Sequence, residues 1–344
     1  MKFPFYHSDG RKRSDVSATL PVSRRSQIMN PKNYIADPGL VDACNIALLL
    51  GQPLLVTGEP GTGKTQFAYS VAWELGFEKP LKFETKSTST ARDLFYTYDT
   101  LRQFQDVQNG IKDRSSLNYL TYHALGKAIL LTKEKSEVAK LLPPDFEHPG
   151  KRRSVVLIDE VDKAPRDFSN DILNELEHLY FRVPELGNVA IETNPELQPI
   201  IIITSNSEKD LPDAFLRRCI YYNVPFPEKD RLREIVTNRL GLDSHSSNDF
   251  LTTALDLFYT LRHPSSGLRK KPTTAELLGW MIALREIPPR EDAENPLKNP
   301  AKDAKNPLTN PELALQTLSN LIKRAEDQDK AQIIVKTWIS NRKK

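Results

Sequence analysis

The segment PLLVTGEPGTGKTQFAYSVAWELG, residues 53–76, decides the fold of this chain. Its first residues are mostly apolar, which is typical of a short buried strand. Gly76 suits the end of a helix, because glycine readily adopts the left-handed conformation found there. The segment therefore predicts a strand, a glycine-rich loop and a helix in direct succession. The residues expected on one face of that helix are Phe67, Ala68, Val71, Ala72 and Leu75.

The loop matches the G-x-x-x-x-G-K-[ST] pattern of a phosphate-binding loop. Glycines allow backbone N–H groups to approach phosphate oxygens, and the helix N-terminus adds partial positive charge. We expect Lys64 to reach the β- and γ-phosphates of ATP and Thr65 to ligate Mg²⁺. The alternatives are a chance glycine turn and a site that binds nucleotide without hydrolysing it. The expected nucleotide-binding residues are Gly58, Glu59, Pro60, Gly61, Thr62, Gly63, Lys64 and Thr65.

Two adjacent acids, Asp159 and Glu160, follow the apolar residues 155–158. Charge is costly at the end of a buried strand unless a partner neutralises it. If this strand runs parallel to the first one, Asp159 lies beside the phosphate loop, and its expected partner is Mg²⁺. Glu160 can then accept a proton from the water that attacks the γ-phosphate. The alternative is a pair of surface acids that bind Lys163 or Arg166.

The composition indicates a globular protein without a marked charge bias. The chain has 344 residues, 39% of them hydrophobic, and carries 48 basic against 45 acidic residues. This balance does not indicate the concentrated basic face of a nucleic-acid-binding domain, although it does not exclude one. Two cysteines, Cys44 and Cys219, are too few for a structural zinc site. Because we find neither a signal peptide nor an apolar segment long enough to span a membrane, we expect a soluble cytoplasmic protein.

The order of predicted elements separates three regions. Residues 1–33 are polar and are predicted to be a mobile arm. Residues 34–226 alternate buried strands with helices, which predicts an α/β domain whose parallel sheet is flanked by helices. Residues 227–344 show helical patterns and are predicted to form a small helical lid domain, with a Pro/Asn-rich insertion at residues 288–311.

Two helices inside the α/β region are predicted from apolar spacing alone. Residues 117–131, LNYLTYHALGKAILL, have the pattern of an amphipathic helix. Residues 167–181 have a similar pattern, and residues 180–193 can form a hairpin with Gly187 and Asn188 at its turn. The apolar face expected for the second helix consists of Phe168, Ile172, Leu173, Leu176 and Leu179.

Four motifs occur in an order and spacing that resemble the AAA+ ATPases: GEPGTGKT, VVLIDEVDKAPRDF, ITSN and LPDAFLRRC. The resemblance covers residues 34–226 well and the helical region more weakly. Within AAA+, the sequence KAPRDF after the two acids and the extra segment near residues 90–110 resemble the MoxR family. The resemblance implies a P-loop AAA+ domain that binds and hydrolyses ATP with Mg²⁺.

The resemblance also implies roles for three residues at or after the end of the last predicted strand. Asn206 resembles sensor 1, the polar residue that places the attacking water; the alternative is a turn-forming asparagine after a strand. Arg218, or Arg217 in its place, resembles the arginine finger that serves the nucleotide of a neighbouring subunit. The alternative is a pair of solvated arginines at a helix end, where cations are favourable. A finger requires an oligomer, and the family implies a ring, expected to be a hexamer.

The sequence does not decide which residue serves as sensor 2 or what the aromatic residues near position 95 do. Where many relatives place a sensor 2 arginine, this chain has Thr273, and only the neighbouring residues 269–271 offer a positive charge. The insertion of the family faces a central pore, so the aromatic side chains within residues 95–98 can grip a substrate there, or they can be core residues. The aromatic residues concerned are Phe95, Tyr96 and Tyr98.

We therefore expect an AAA+ motor that remodels or activates a partner protein, in the manner of a chaperone. By resemblance, a von Willebrand factor A domain on a separate chain is an expected partner. One alternative is a nucleotide-gated switch in a stress or antiphage system. Another is a nucleic-acid-dependent NTPase, which the basic residues 151–153 and 269–271 keep open, although solvated loops explain them equally well.

Overall fold

The computed structural model describes residues 29–111, 114–206, 210–242, 249–286, 308 and 311–342. Most of the predicted N-terminal arm and most of the predicted Pro/Asn-rich insertion lie outside these residues. The chain divides into two compact units. The α/β unit comprises Ala36–Phe226, and the helical unit comprises Pro227–Lys344 with the N-terminal residues up to Ile35.

Parallel pairing forms the centre of the α/β unit. The strands described there are β1 (Leu54–Gly58), β2 (Leu81–Glu84), β3 (Tyr96–Tyr98), β4 (Leu120–Tyr122), β5 (Val155–Asp159), β6 (Tyr180–Val183), β7 (Val189–Glu192), β8 (Ile200–Thr204) and β9 (Ile220–Val224). A five-stranded sheet has the order β2–β5–β8–β1–β9, and its neighbouring strands pair parallel. β3 with β4 and β6 with β7 form separate antiparallel pairs.

Helices flank this sheet. Every residue of β1 and β5 is buried, as expected for strands covered on both faces. The helices described in this unit are α1 (Pro38–Leu50), α2 (Lys64–Glu74), α3 (Thr100–Gln108), α4 (Ala124–Leu130), α5 (Lys135–Val138), α6 (Phe168–Asp171), α7 (Leu173–His178) and α8 (Asp213–Leu216). α1 packs against β9, α2 against β5, and α4 against β2 and β5. The predicted α/β fold with a parallel sheet flanked by helices is confirmed.

The helix predicted over residues 117–131 is wrong in its first half. Residues Ser116–Tyr119 form a 3₁₀ turn, and Leu120–Tyr122 is strand β4. β4 pairs with β3, and the N–H of His123 donates to the carbonyl oxygen of Phe95 at 2.8 Å. Backbone pairing with a distant segment therefore prevents the helix from starting before Ala124.

The helix predicted over residues 167–181 is also shorter than expected. It divides into α6 and α7, and Leu179 ends it with a φ of 49° in the left-handed region. β6 then begins at Tyr180. The hairpin predicted after it is confirmed, with Gly187 at φ 78° and Asn188 at φ 58° in the connection.

The helix after the glycine-rich loop ends before the last residue of its predicted apolar face. α2 ends at Glu74, and Gly76 follows with a φ of 75°, as its expected role at the helix end requires. Leu75 lies beyond the helix and is exposed, whereas Phe67, Ala68 and Val71 are buried. The prediction that Leu75 shares a helical face with these residues is therefore wrong, because the helix ends at Glu74.

The helical unit has its own apolar core. Trp280 is fully buried there, and its indole N–H donates to the hydroxyl of Thr317 at 2.9 Å. Its described α-helices are α9 (Lys229–Leu240), α10 (Asp249–Arg262), α11 (Thr274–Glu286), α12 (Pro311–Gln316) and α13 (Ala325–Arg342). Across the described part of the chain, no helix combines the length and the apolar character needed to cross a bilayer.

Short 3₁₀ helices connect several of these elements. In the helical unit they are Pro31–Asn33, Pro264–Ser266 and Leu318–Asn320. In the α/β unit they are Ala91–Leu94, Ser116–Tyr119, Ala139–Leu141, Val161–Lys163, Pro184–Leu186 and Pro195–Leu197.

Candidate nucleotide site

The carboxyl ends of β1, β5 and β8 meet at one edge of the sheet. In the strand register, Val56 lies opposite Thr204 and Glu84 lies opposite Asp159. Thr65, the second residue of α2, donates its hydroxyl hydrogen to Asp159 Oδ1 at 2.8 Å. The structure therefore brings the glycine-rich loop and the acidic end of β5 into direct contact.

The loop between β1 and α2 needs glycine at defined positions. Gly58 has a φ of 138°, and a Cβ there would lie 2.7 Å from the carbonyl oxygen of Val224. Gly63 has a φ of 92° and precedes the first residue of α2 without a side chain to cap it. The first backbone N–H groups of α2 thus keep their capacity to bind an anion.

Lys64 is folded inward within this loop. Only 6% of its surface is exposed, and its Nζ donates to the carbonyl oxygens of Gly58 at 2.7 Å and Glu59 at 2.9 Å. Burial lowers the pKa of Lys64, while the surrounding carboxylates act in the opposite direction. Two carbonyl oxygens therefore hold the ammonium group inside the loop, where it can bind a phosphate group.

Asp159 is a buried carboxylate with three hydrogen-bond donors. Oδ1 accepts from Thr65 and, at 2.7 Å, from the hydroxyl of Thr204, while Oδ2 accepts from Lys82 Nζ at 2.9 Å. Burial acts to raise the pKa of Asp159, but the hydrogen bonds from Thr204, Lys82 and Thr65 outweigh burial and hold that pKa below its usual value. The carboxylate is therefore ionised at neutral pH.

Glu160 has an unusual backbone conformation for a residue with a Cβ. Its φ and ψ are 56° and 52°, in the left-handed region that non-glycine residues rarely occupy and that is enriched at functional sites. Its Oε1 accepts from Asn206 Nδ2 at 3.1 Å, and its Oε2 forms an ion pair with Lys163. Lys163 is one of the alternative partners that the sequence suggests for these acids, and it binds Glu160 in this structure.

Asn206 bonds to two acids that follow β5. Besides its amide contact with Glu160, its backbone N–H donates to both carboxylate oxygens of Asp162 at 3.2 Å. Asp162 is almost fully buried. The end of β8 therefore lies against the candidate catalytic glutamate, as the expected role of Asn206 requires.

The residues at this edge fit a magnesium ion. Mg²⁺ prefers oxygen ligands and is usually held by one or two protein groups together with waters and substrate phosphates. The hydroxyl oxygen of Thr65 and a carboxylate oxygen of Asp159 converge within 2.8 Å of each other beside the loop. These two residues would hold Mg²⁺ that arrives with a nucleotide.

The two candidate finger arginines differ in their contacts. Arg218 donates from Nε to Glu177 Oε2 at 2.8 Å and from a terminal nitrogen to the carbonyl oxygen of Ala214 at 3.1 Å. Arg217 is exposed, and within the described residues its side chain has no hydrogen bond or ion pair. In that same part of the chain, no such contact joins either arginine to residues 58–65.

A family model then identifies the domain that carries this site. The model of the ATPase family associated with various cellular activities (AAA) matches residues 54–226, about half of the chain. The chain belongs to the AAA family of ATPases. AAA domains bind ATP, typically with Mg²⁺, and an AAA domain indicates an ATP-hydrolysing enzyme in general.

Three solved structures that are similar to this AAA protein each have low sequence identity to it. The Thermotoga maritima RuvB Holliday junction branch migration motor is 16% identical, with a TM-score of 0.40 over 84% of this chain and 69% of that chain. A mutant of the same Thermotoga maritima RuvB is also 16% identical, with a TM-score of 0.45 over 87% of this chain and 74% of that chain. C. elegans PCH-2 is 16% identical, with a TM-score of 0.39 over 90% of this chain and 70% of that chain. No curated protein matches this AAA protein.

The aromatic residues of the insertion in this AAA domain are mainly core residues. Phe95 and Tyr96 are buried, and Phe95 stacks on Phe181 with ring centroids 5.2 Å apart. Tyr98 is half-buried and contacts Tyr119 edge to face. The sequence allowed these aromatic residues to be either pore residues that grip a substrate or core residues. Phe95 and Tyr96 are core residues.

The segment in which the resemblance led us to look for a sensor 2 arginine has a structural role in the helical unit. Thr273 and Glu276 cap α11 reciprocally, since each backbone N–H donates to the side chain of the other residue. Arg269 forms an ion pair with Glu326, and Asp327 accepts the backbone N–H groups of Arg269 and Lys270. These backbone hydrogen bonds lower the pKa of Asp327.

Sequence reasoning missed three residues of the site in this AAA protein. Lys82 and Thr204 bind Asp159, and Asp162 binds the backbone of Asn206. Thr204 was detectable as a polar residue at the end of an apolar strand, and Asp162 as a further acid close to Glu160. Lys82 gave no comparable signal, because its role depends on the pairing of β2 with β5.

Proposed function

We propose that this AAA protein is an ATP-hydrolysing motor of the MoxR type that remodels or activates a partner protein in a chaperone-like role. The observation that carries the proposal is the continuous contact from the loop to the acids: Thr65 binds Asp159, and Glu160 binds Asn206. A buried, ionised Asp159 beside a phosphate loop supports Mg²⁺-nucleotide binding, and a glutamate directly after it supplies the base that hydrolysis needs in addition.

Each residue of the site has a defined task in this proposal. The backbone N–H groups at the start of α2 and the ammonium of Lys64 bind the triphosphate. Thr65 and Asp159 hold Mg²⁺, which when bound supplies positive charge to the phosphate oxygens. Glu160 orients the attacking water and accepts its proton, and Asn206 holds the carboxylate of Glu160 in position.

The second part of the proposal concerns assembly. AAA proteins commonly form rings, and we propose a hexamer in which Arg218, with Arg217 as the alternative, completes the site of a neighbouring subunit. Both arginines are exposed, so a neighbouring molecule can reach them. In a head-to-tail ring, each subunit presents the same surface to the nucleotide site of its neighbour. The same arginine would therefore lie at every nucleotide site.

The placement in the MoxR family is supported by sequence. KAPRDF follows the two acids, and an insertion that contains β3, α3 and β4 lies between β2 and α4. From this placement we propose a protein client and a von Willebrand factor A partner on a separate chain. Co-purification of the full-length protein with a non-hydrolysable ATP analogue would recover such a partner.

Two substitutions test the enzymatic part of the proposal. Lys64→Ala is expected to weaken ATP binding by about two orders of magnitude, because a charge-assisted contact to phosphate is lost. Glu160→Gln is expected to bind ATP normally but to lower kcat by about 10²- to 10⁴-fold, since the base is lost. Titration calorimetry and phosphate release measure the two quantities.

Matched controls for these variants lie on the surface of the same unit. Lys79→Ala and Glu147→Gln change the same residue types at exposed positions and should leave both quantities unchanged. If the wild-type protein binds no nucleotide, or if Lys64→Ala binds as tightly as wild type, the assignment of the loop is wrong.

A further inference from the structure

Asp159 has a cationic partner inside its own domain. Lys82, on β2, lies opposite Leu157 of β5 in the strand register, and its Nζ reaches Asp159 Oδ2 at 2.9 Å. The other oxygen of Asp159 accepts from the hydroxyls of Thr65 and Thr204. Lys82 therefore neutralises the carboxylate oxygen that the two hydroxyl groups leave available.

This ion pair differs from an ordinary surface ion pair. The side chain of Asp159 is 9% exposed and that of Lys82 is 27% exposed. A buried carboxylate without a partner is strongly unfavourable, so the ammonium group stabilises the strand end when no other cation is present. Lys82 binds Oδ2, whereas Thr65 meets Oδ1, the oxygen that would bind Mg²⁺. The ammonium group therefore opposes Mg²⁺ binding through its charge, because two cations held by one carboxylate repel each other.

Lys82 has a second acceptor to which it can move. Its Nζ also lies 2.6 Å from Glu84 Oε1, and the Glu84 side chain is 71% exposed. Lys82 and Glu84 are two residues apart on β2, so their side chains point to the same face of the strand. A shift of the ammonium group from Asp159 towards Glu84 needs only a rotation about side-chain bonds.

We propose that Lys82 is a positioning residue that holds Asp159 when Mg²⁺ is absent and competes with Mg²⁺ for it, with Glu84 accepting the displaced ammonium group. The inference rests on the proposed function, because it concerns the metal that accompanies the nucleotide. Because of this competition, nucleotide binding requires a higher Mg²⁺ concentration than it would if only Thr65 and Asp159 acted on the ion. Lys82 raises the required Mg²⁺ concentration, and Glu84 lowers it by drawing Lys82 away from Asp159.

The experiment is a Mg²⁺ titration of the full-length protein with a fluorescent, non-hydrolysable ATP analogue at fixed concentration. Lys82→Met is expected to lower the Mg²⁺ midpoint of analogue binding about tenfold, because a competing unit charge next to Asp159 is removed. Glu84→Gln is expected to raise the midpoint about threefold, since Lys82 loses its exposed acceptor. Lys82→Arg keeps the charge and should stay within about twofold of wild type.

Two controls separate this role from a general structural one. Lys79→Met removes a positive charge at an exposed position before β2 and should leave the midpoint unchanged. Thermal unfolding without ligand should show a lower Tm for Lys82→Met, because Asp159 loses its partner, whereas Glu84→Gln should unfold like wild type. Glu84→Gln thus tests the inference in a variant that keeps its fold.

The outcomes distinguish this inference from the proposed function. Equal midpoints for wild type, Lys82→Met and Glu84→Gln overturn the competition while leaving nucleotide binding intact. Weaker analogue binding by Lys82→Met at all Mg²⁺ concentrations, including none, also overturns it, because Lys82 would then be a phosphate contact. Failure of the wild-type protein to bind the analogue overturns the proposed function, and the inference with it.

Discussion

Glu160 and Asn206 show how single residues hold the site in shape before a nucleotide binds. The backbone N–H of Glu160 donates to the hydroxyl of Thr204 at 2.9 Å, and this hydroxyl donates to Asp159. Asn206, which follows β8, then binds the side chain of Glu160. Several hydrogen bonds thus fix the backbone at the end of β5. Together they can maintain the left-handed conformation of Glu160, which would otherwise be unfavourable.

The amide of Asn206 is expected to act through Glu160. Asn206→Ala should lower kcat about 100-fold with little change in nucleotide affinity, because Glu160 loses the group that orients it. Single-turnover hydrolysis and analogue binding measure the two effects. Asn45→Ala, at an exposed position on α1, is the matched control and should have wild-type kinetics. Unchanged hydrolysis in Asn206→Ala would show that Asn206 serves only as a turn residue.

At the scale of elements, Phe181 joins two strand pairs that are far apart in sequence. It lies on β6 and contacts Phe95, Tyr96 and Tyr122 of the β3–β4 region, with ring centroids 5.2 to 6.2 Å apart. Tyr96 also donates its hydroxyl hydrogen to Glu185 at 3.0 Å, in the connection between β6 and β7. This aromatic cluster therefore joins the β3–β4 pair to the β6–β7 pair within the core of the α/β unit.

This cluster predicts a large difference between two phenylalanines. Phe181 is 3% exposed, whereas Phe104 on α3 is 59% exposed. Phe181→Ala should lower the free energy of unfolding by about 3 to 5 kcal/mol, because it leaves a cavity between the two strand pairs. Phe104→Ala should change it by less than about 0.5 kcal/mol. Urea unfolding measures both, and equal effects would contradict the packing described for Phe181.

At the scale of the whole molecule, the proposed function needs a second chain to complete the nucleotide site. The phosphate loop and the acids lie together, but no hydrogen bond or ion pair between described residues joins Arg217 or Arg218 to the loop. Arg218 instead binds Glu177, an exposed pair that contributes little to stability and is easily exchanged. A ring of identical chains would supply the arginine from a neighbour.

Mixing two inactive variants tests this shared site. Lys64→Ala keeps Arg218 but binds too little ATP at concentrations near the wild-type Kd, and Arg218→Ala keeps the loop but lacks the proposed finger. Co-assembled in equal amounts, they should recover about a quarter of wild-type hydrolysis, because random neighbours restore that share of complete sites. Each variant alone should be inactive. No recovery in mixed rings, or full activity of a monomer, would contradict the proposal that subunits share the site.

The sequence alone determined the central fold and the positions of the loop and the two acids. Residues 53–76 predict a strand, a loop and a helix because each step depends on local backbone conformation and short-range apolar spacing. The apolar run before Asp159 predicts a buried strand for the same reason, and consecutive strands separated by helices predict a parallel sheet. These inferences need no knowledge of which distant residues meet.

Only the tertiary structure decided what these elements contact. Residues 117–122 have helical spacing, yet residues 120–122 pair with β3, because backbone hydrogen bonds to a distant strand outweigh local preference. Phe95 and Tyr96 are core residues because Phe181 packs against them. Lys82 meets Asp159 because β2 lies beside β5, and the order of strands in a sheet is set by long-range packing that no short stretch of sequence encodes.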